Sequence, residues 1–341
     1  MEKNTHILIM RLSAMGDVIM SVAVVKALRE SYPECEISVL TRGFFAPFFE
    51  GIDNIKIISP DLKGRHKGIV GLYRLYKDIC ADAKVDYVAD FHDVLRTKLL
   101  RLFFKLRGKK IAVINKGRAE KDALTRKFRK VLRPLKPMME RYCDVLKSLG
   151  FDKISLDEKL KKQKRPVPEC VGKKKRGEKW VAYAPFAQHK GKVYPSKHSN
   201  ELTSLLSENF DRIFIFGGGD YERQFAEYMQ SCYDNVSSVI GVMSLSEEID
   251  LMANMNCVVS MDSSSMHMSS LVGVPVVSIW GATHPYAGFY GFNQKEENAV
   301  QVDLECRPCS VYGNKACMHK DYRCLMKILP EKVLEKVKKI V

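Results

Sequence analysis

Three short stretches in the second half of this 341-residue chain combine residue types that could act on a phosphorylated ligand. The first is Ala184-Pro185-Phe186-Ala187 with the downstream Tyr194-Pro195-Ser196-Lys197. The second runs Gly217-Gly218-Gly219-Asp220-Tyr221-Glu222, and the third Asp262-Ser263-Ser264-Ser265-Met266-His267. Glycines let a backbone approach a nucleotide, a carboxylate such as Glu222 can hold ribose hydroxyls, and Lys197 can neutralise diphosphate charge. The serine-rich corner follows an apolar run and opens a helix, where free N–H groups and the helix dipole seat an anion. Asp262 or Ser263 could equally well only cap that helix, and both readings stand. In the first half, Asp17 follows Gly16 onto the first turn of a helix, where it reads as a cap or as a general base. His267 alone reads more readily as a helix-face histidine than as a catalytic one. A Walker pattern and a supported Ser-His-Asp set are lacking, and neither half carries GxGxxG, which argues against a nicotinamide dehydrogenase.

These residues need strands and helices to position them. His6–Met10 is a short apolar strand candidate, and Val18 to Leu28 an almost wholly apolar helix, joined through Arg11-Leu12-Ser13-Ala14-Met15-Gly16-Asp17. That is the opening of a Rossmann-like domain. Strand-like runs follow at Ile37–Thr41, Lys56–Ile58, Tyr87–Ala89 and Lys110–Ile114, with Asp90-Phe91-His92-Asp93 at another strand end. The pattern restarts at Trp180–Ala184, with further strands at Arg212–Phe216, Val236–Ile240, Cys257–Val259 and Pro275–Trp280. Helices are expected at Ser196–Glu208, Tyr221–Met229, Ser246–Met255 and Met266–Val272, the last stopped by Gly273. Strand–helix alternation predicts parallel sheets covered on both faces. The fold expected is α/β, with two Rossmann-like domains facing across a cleft. Their bounds are 1–165 and 166–329, with a basic amphipathic helix over 330–341. Lys159 to Lys179, charged and holding Pro166 and Pro168, reads as the linker.

An apolar share of 46% and a charged share of 28% are ordinary for a folded domain, but the net charge of +16 is not. From Arg96 to Lys136 there are sixteen lysines and arginines against Glu120 and Asp122. Such a stretch suits a polyanion: nucleic acid, an anionic membrane or a phosphorylated substrate. Interleaved aromatic stacking residues are missing, so single-stranded nucleic acid is not expected. The N-terminus, MEKNTHILIMRLSAMGD, reads as neither signal peptide nor membrane span. Of ten cysteines, Cys35, Cys80, Cys143, Cys170, Cys232 and Cys257 read as packing residues. Cys306, Cys309, Cys317 and Cys324 cluster, and could hold a structural zinc or remain reduced thiols.

Together the stretches resemble the heptosyltransferases of lipopolysaccharide core assembly, in glycosyltransferase family nine. ILIMRLSAMGDVIMSVAVVKALRESYP is similar to the family's opening strand, R-L-S-x-x-G-D turn and first helix. YPSK resembles its P-S-K stretch, FGGGDYER its glycine-and-acid nucleotide loop, and MDSSSMHMSSLVGVPVVSIWGATHP its D-[ST]-G-x-x-H donor motif. The resemblance runs the length of the chain and is weakest between Arg96 and Lys179. It implies a GT-B, metal-independent, inverting transferase with no required cofactor and an ADP-heptose donor. Asp17 would be the base. Lys197, Gly218, Glu222, Asp262, Ser263, Ser264 and His267 would bind the donor, and Ser13, Gly16, His92 and Arg96 the acceptor. That acceptor would be an anionic, lipid-linked saccharide at the cytoplasmic face of the inner membrane, which the enzyme would touch peripherally. Ser264 stands where the family often has glycine, which bears on the choice of nucleotide sugar. The family's comparable C-terminal cysteines lie outside its catalytic machinery. Two other readings remain: the same fold with a different nucleotide-sugar donor, and a non-catalytic polyanion-binding protein.

Overall fold

The structure, a computed structural model, describes residues 5–156 and 161–341. Lys159 and Leu160, the start of the expected linker, lie outside them. Contacts divide the chain into two compact units, one of Met1–Lys116 with Met138–Asp157, the other of Gly117–Pro137 with Glu158–Val341. Gly117–Pro137 thus belongs to the second unit, although the sequence reading assigns 1–165 to the first. The reason is local packing. Leu124 and Leu135 bury against Ala287, and the Leu135 amide donates to the Tyr286 carbonyl at 2.9 Å.

In the first unit, β1 (His6–Met10), α1 (Met15–Ser31), β2 (Glu36–Leu40), β3 (Ile55–Ile58), α2 (Gly68–Asp82), β4 (Tyr87–Asp90), α3 (Leu95–Leu106) and β5 (Lys110–Val113) follow in order. The five strands are parallel in the order β3-β2-β1-β4-β5. β1 is buried throughout, as a central strand covered on both faces must be. α1 is apolar nearly all round and buries Val18, Val22, Val25 and Leu28 among others. It starts three residues earlier than the periodicity predicts, so Gly16 is helical and not part of the preceding turn. α2 and α3 pack on each other over Leu8, Met10 and Val88.

The short α4 (Arg118–Thr125), which the sequence reading does not predict, lies in the second unit; α5 (Met138–Lys147) returns to the first and packs on α1. The second unit continues with β6 (Trp180–Ala184), α6 (Ser196–Asn209), β7 (Arg212–Ile215), α7 (Asp220–Cys232), β8 (Val236–Ser238), α8 (Leu245–Ala253), β9 (Cys257–Met261), α9 (Ser264–Val272), β10 (Val276–Ile279), β11 (Ala299–Val300), α10 (Arg323–Met326) and α11 (Pro330–Ile340). Its six parallel strands run β11-β10-β9-β6-β7-β8. Counted from β6 this is the doubly wound order 3-2-1-4-5-6, whose direction reverses between β6 and β9. The first sheet reverses between β1 and β4. α11 packs on α6 and buries Val333, Leu334 and Val337 in the second core, so it is integral to that unit. Of the six cysteines expected to pack, Cys35, Cys143 and Cys257 are buried, whereas Cys80, Cys170 and Cys232 are exposed. Among the described residues no helix is long and apolar enough to cross a membrane.

Candidate active site

Ligands of open α/β sheets bind outside the carboxyl ends of strands, where the strand order reverses. In the first unit that place holds Arg11 to Asp17 after β1 and Asp90 to Asp93 after β4. The Asp17 carboxylate, in the first turn of α1, pairs with the guanidinium of Arg11. Arg11 is itself buried, donates to the Phe91 carbonyl at 2.6 Å, and lies over the Tyr142 ring. That ring stacks on Phe91 with centroids 4.5 Å apart, while the Tyr142 hydroxyl donates to the Asp17 carbonyl at 3.3 Å. Asp17 is therefore held in one orientation by groups drawn from the loops after β1 and β4 and from α5, and it keeps about a fifth of its side chain accessible.

Ser13 and His92, both expected at this site, do meet: the Ser13 hydroxyl is 3.3 Å from His92 Nε2. Asp90, wholly buried, accepts from the backbone amides of His92 and Asp93 at 2.8 and 2.9 Å and pairs with Arg101 at 3.1 Å. Burial, together with the positive charges of Arg11, Lys116, Arg96 and Arg42, pushes the His92 pKa down to about 3. A neutral imidazole thus sits among four cations that come from the loops after β1, β2 and β5 and from α3. Sequence reasoning named only Arg96 of these. Arg11, Arg42 and Lys116 each follow a strand by one to three residues, and that position was the available signal.

In the second unit, the loop after β9 settles how Asp262 and Ser263 are used. Ser263 is the N-cap residue of α9, yet its side chain makes no capping bond; its hydroxyl lies 3.1 Å from that of Ser260. Asp262, 6% exposed, pairs with Lys192 at 3.4 Å. The capping reading is therefore not what the side chains do, and Lys192, which the sequence reading passed over, is the fixed cation of this corner. Ser264 is the first residue of α9, and His267 lies buried one turn further on.

The loops after β6 and β7 meet alongside. The Ser196 and Tyr221 hydroxyls are 3.4 Å apart, and the Phe186 and Phe225 rings touch edge to face at 5.3 Å. Glu222 reaches back to accept from the Gly218 amide at 2.6 Å. A Cβ at Gly217 would come within 2.7 Å of that carboxylate, so a side chain there would displace Glu222 from this position. Lys197 is exposed in the first turn of α6 with no carboxylate partner among the described residues. Among those residues no group of three or more His, Cys, Asp or Glu side chains could hold a metal ion. The zinc reading of Cys306, Cys309, Cys317 and Cys324 accordingly gains no support.

Two parallel α/β units, each with charged loops at its switch point, give the chain the GT-B fold. It belongs to glycosyltransferase family 9, the heptosyltransferases, whose family model matches residues 72–319. It is 22% identical over 331 residues to the lipooligosaccharide heptosyltransferase 2 of Campylobacter jejuni serotype O:6, with 96% of each chain covered. The family 9 glycosyl transferase from Veillonella parvula has a similar fold, with a TM-score of 0.75 at 20% identity over 100% of this chain and 98% of that one. For E. coli heptosyltransferase WaaC with ADP-2-deoxy-2-fluoro heptose the TM-score is 0.67 at 18% identity, over 99% and 100%. The chain is thus a member of the heptosyltransferase family.

Proposed function

We propose that this enzyme transfers a heptose from ADP-heptose to the lipid A–inner core acceptor, with inversion at the anomeric carbon. The observation that carries the reading is the start of α9. Its first-turn amides lie at the switch point, Ser263 does not cap them, and Asp262 and Lys192 fix the corner. Asp17 takes the proton from an acceptor hydroxyl as that oxygen attacks the anomeric carbon. The bond from that carbon to the diphosphate breaks, and ADP leaves with the electron pair. Lys197 and the N–H groups of Ser263 and Ser264 take up the charge that develops on the leaving group. Glu222 and Gly218 hold the ribose side, Asp262 and His267 the sugar and phosphate pocket. Ser13, Gly16, His92 and Arg96 bind the acceptor, with Arg42 and Lys116 adding to its cationic seat. We place the enzyme in the cytoplasm, peripheral at the inner face of the inner membrane.

The test is Asp17→Asn assayed for transfer and for donor binding. Transfer should fall by about a thousandfold or more, since a positioned base and its negative charge are both lost. ADP-heptose should still stabilise the variant, by about 2.7 kcal/mol at a hundredfold excess over its Kd. A variant of full activity would remove Asp17 from the role of base. One observation favours a second reading with another nucleotide sugar: Ser264 brings a side chain to the first position of α9. A higher kcat/KM with a UDP-sugar than with ADP-heptose would establish that reading. Stoichiometric zinc in purified enzyme, lost on Cys306→Ser, would place a structural metal at the cysteines.

A further inference from the structure

α3, with sequence LRTKLLRLFFKL, buries Thr97, Leu100 and Phe104 and turns an apolar stripe to solvent. Leu95 and Leu106 are each 76% exposed, and Leu102 lies between them on the same face. At 100° per residue these three fall within about 40° of one another, opposite the buried face. α2 extends the patch. Ile69, Val70 and Tyr73 are exposed, and the Tyr73 ring contacts Phe103 of α3 at 5.3 Å. Leu95, Leu102 and Leu106 lie outside the buried cluster that α2 and α3 share, and together with the α2 side chains they form a contiguous exposed apolar patch.

The rim of the patch is basic. Lys67, Arg74, Lys77, Lys98, Lys105 and Arg107 are all exposed, and Lys77 lies over the Tyr73 ring at 4.9 Å. α3 carries no acid. The two acids of α2 are engaged, Asp78 with Arg65 at 2.8 Å and His66 at 3.1 Å, Asp82 with Lys56. Asp93 stands 4.0 Å from Lys98. Apolar side chains ringed by surplus positive charge match a surface that is apolar within and anionic at its edge. Leu95 also follows His92 by only three residues, so the patch adjoins the loop that faces the acceptor.

We propose that the exposed face of α2 and α3 is the enzyme's docking surface for an anionic lipid bilayer. Leu95, Leu102, Leu106, Ile69 and Val70 enter the headgroup region, and the lysines lie along its plane with their ammonium groups among the phosphates. This rests on the reading of a lipid-linked acceptor and assigns it a surface. The saccharide of the acceptor then projects from the same bilayer toward the loop after β4.

Vesicle flotation of the full chain, with no sugar nucleotide or acceptor present, tests docking apart from transfer. Wild type should float with vesicles of phosphatidylglycerol and phosphatidylethanolamine and not with pure phosphatidylcholine. Leu95→Asn, Leu102→Asn and Leu106→Asn combined should weaken binding at least tenfold, and Lys98→Glu with Lys105→Glu should do the same. All five positions are exposed, and transfer to a short-chain, water-soluble acceptor should be unchanged in each variant. Vesicle binding by the leucine variant equal to wild type would overturn the proposal. So would a wild-type dimer, without vesicle binding, that the leucine changes split into monomers. Failure of heptosyl transfer with vesicle binding intact would leave the surface assigned and the reaction reassigned.

Discussion

Lys192 and Asp262 are held together where little water reaches, with side chains 16% and 8% exposed. Removing the lysine alone leaves a desolvated carboxylate without its cation. We predict that Lys192→Met costs about 1–3 kcal/mol by urea denaturation. Lys192→Met with Asp262→Asn should recover part of that loss, and a double variant less stable than the sum of the singles would count against the pairing. His92 gives a prediction in pH. Its folded pKa is about 3 against 6.5 when exposed, so between these values the unfolded chain binds the extra proton. Its contribution to stability is therefore complete above about pH 6.5 and lost as pH falls toward 3. His284, pushed down to about 4 by burial and Arg307, acts in the same direction. Glu248, pushed up to about 7 by burial, acts in the opposite direction over part of that window. The measurement is thus the difference between wild type and His92→Gln, whose stability should fall less steeply from pH 6.5 to 4.5. At this scale the sequence showed the residues but not their partners. Asp17, Asp262 and Glu222 were visible because carboxylates after strands or at helix starts are recognisable by type and spacing. That Arg11 holds Asp17, or that Lys192 meets Asp262 across seventy residues, follows from strand order, which a linear pattern does not encode.

Among the elements, α9 shows how a helix end is fixed. Gly273 follows its last turn with φ +74, a left-handed cap that glycine adopts without cost. A Cβ there would also collide with the Lys161 carbonyl. Gly273→Ala should destabilise the enzyme by more than about 1 kcal/mol and lower its melting temperature, without changing the ligands of the other two loops. That helix stop was readable, as were most strands, because apolar runs bounded by glycine and charged residues carry a strong signal. α4 was not, since eight residues with four charged side chains give little periodicity. Nor was β11, a two-residue strand that pairs with β10. Ser264 and Ser265, which the sequence pattern places in the loop, form the first turn of α9, whose free N–H groups suit an anion.

For the whole molecule, the C-terminal helix matters more than its amphipathic charge pattern suggested. Deleting Pro330 to Val341 removes Val333, Leu334 and Val337 from the second core, at about 1.5–3 kcal/mol for each fully buried side chain. Loss of the second unit's unfolding transition in calorimetry is the expected result; an unchanged transition would mean that the helix is dispensable. The sequence located both sheets but misassigned the stretch between them. Sixteen cations from Arg96 to Lys136 read as one basic face, yet Lys116 and Gly117 belong to different units. Periodicity reports that a segment buries something, not which core receives it.

That stretch has a bearing on synthesis. The chain leaves the first unit after Lys116, contributes Gly117–Pro137 to the second, and returns at Met138 to supply α5. On the ribosome, the first unit can close as soon as α5 emerges, whereas Leu124 and Leu135 must wait about 150 residues for Ala287. At roughly 5–20 residues per second that is on the order of ten to thirty seconds, during which a cationic, leucine-bearing loop hangs from a finished neighbour. A nascent chain stalled near residue 200 should expose that loop to protease and to hydrophobic-binding chaperones, and one released at 341 should not.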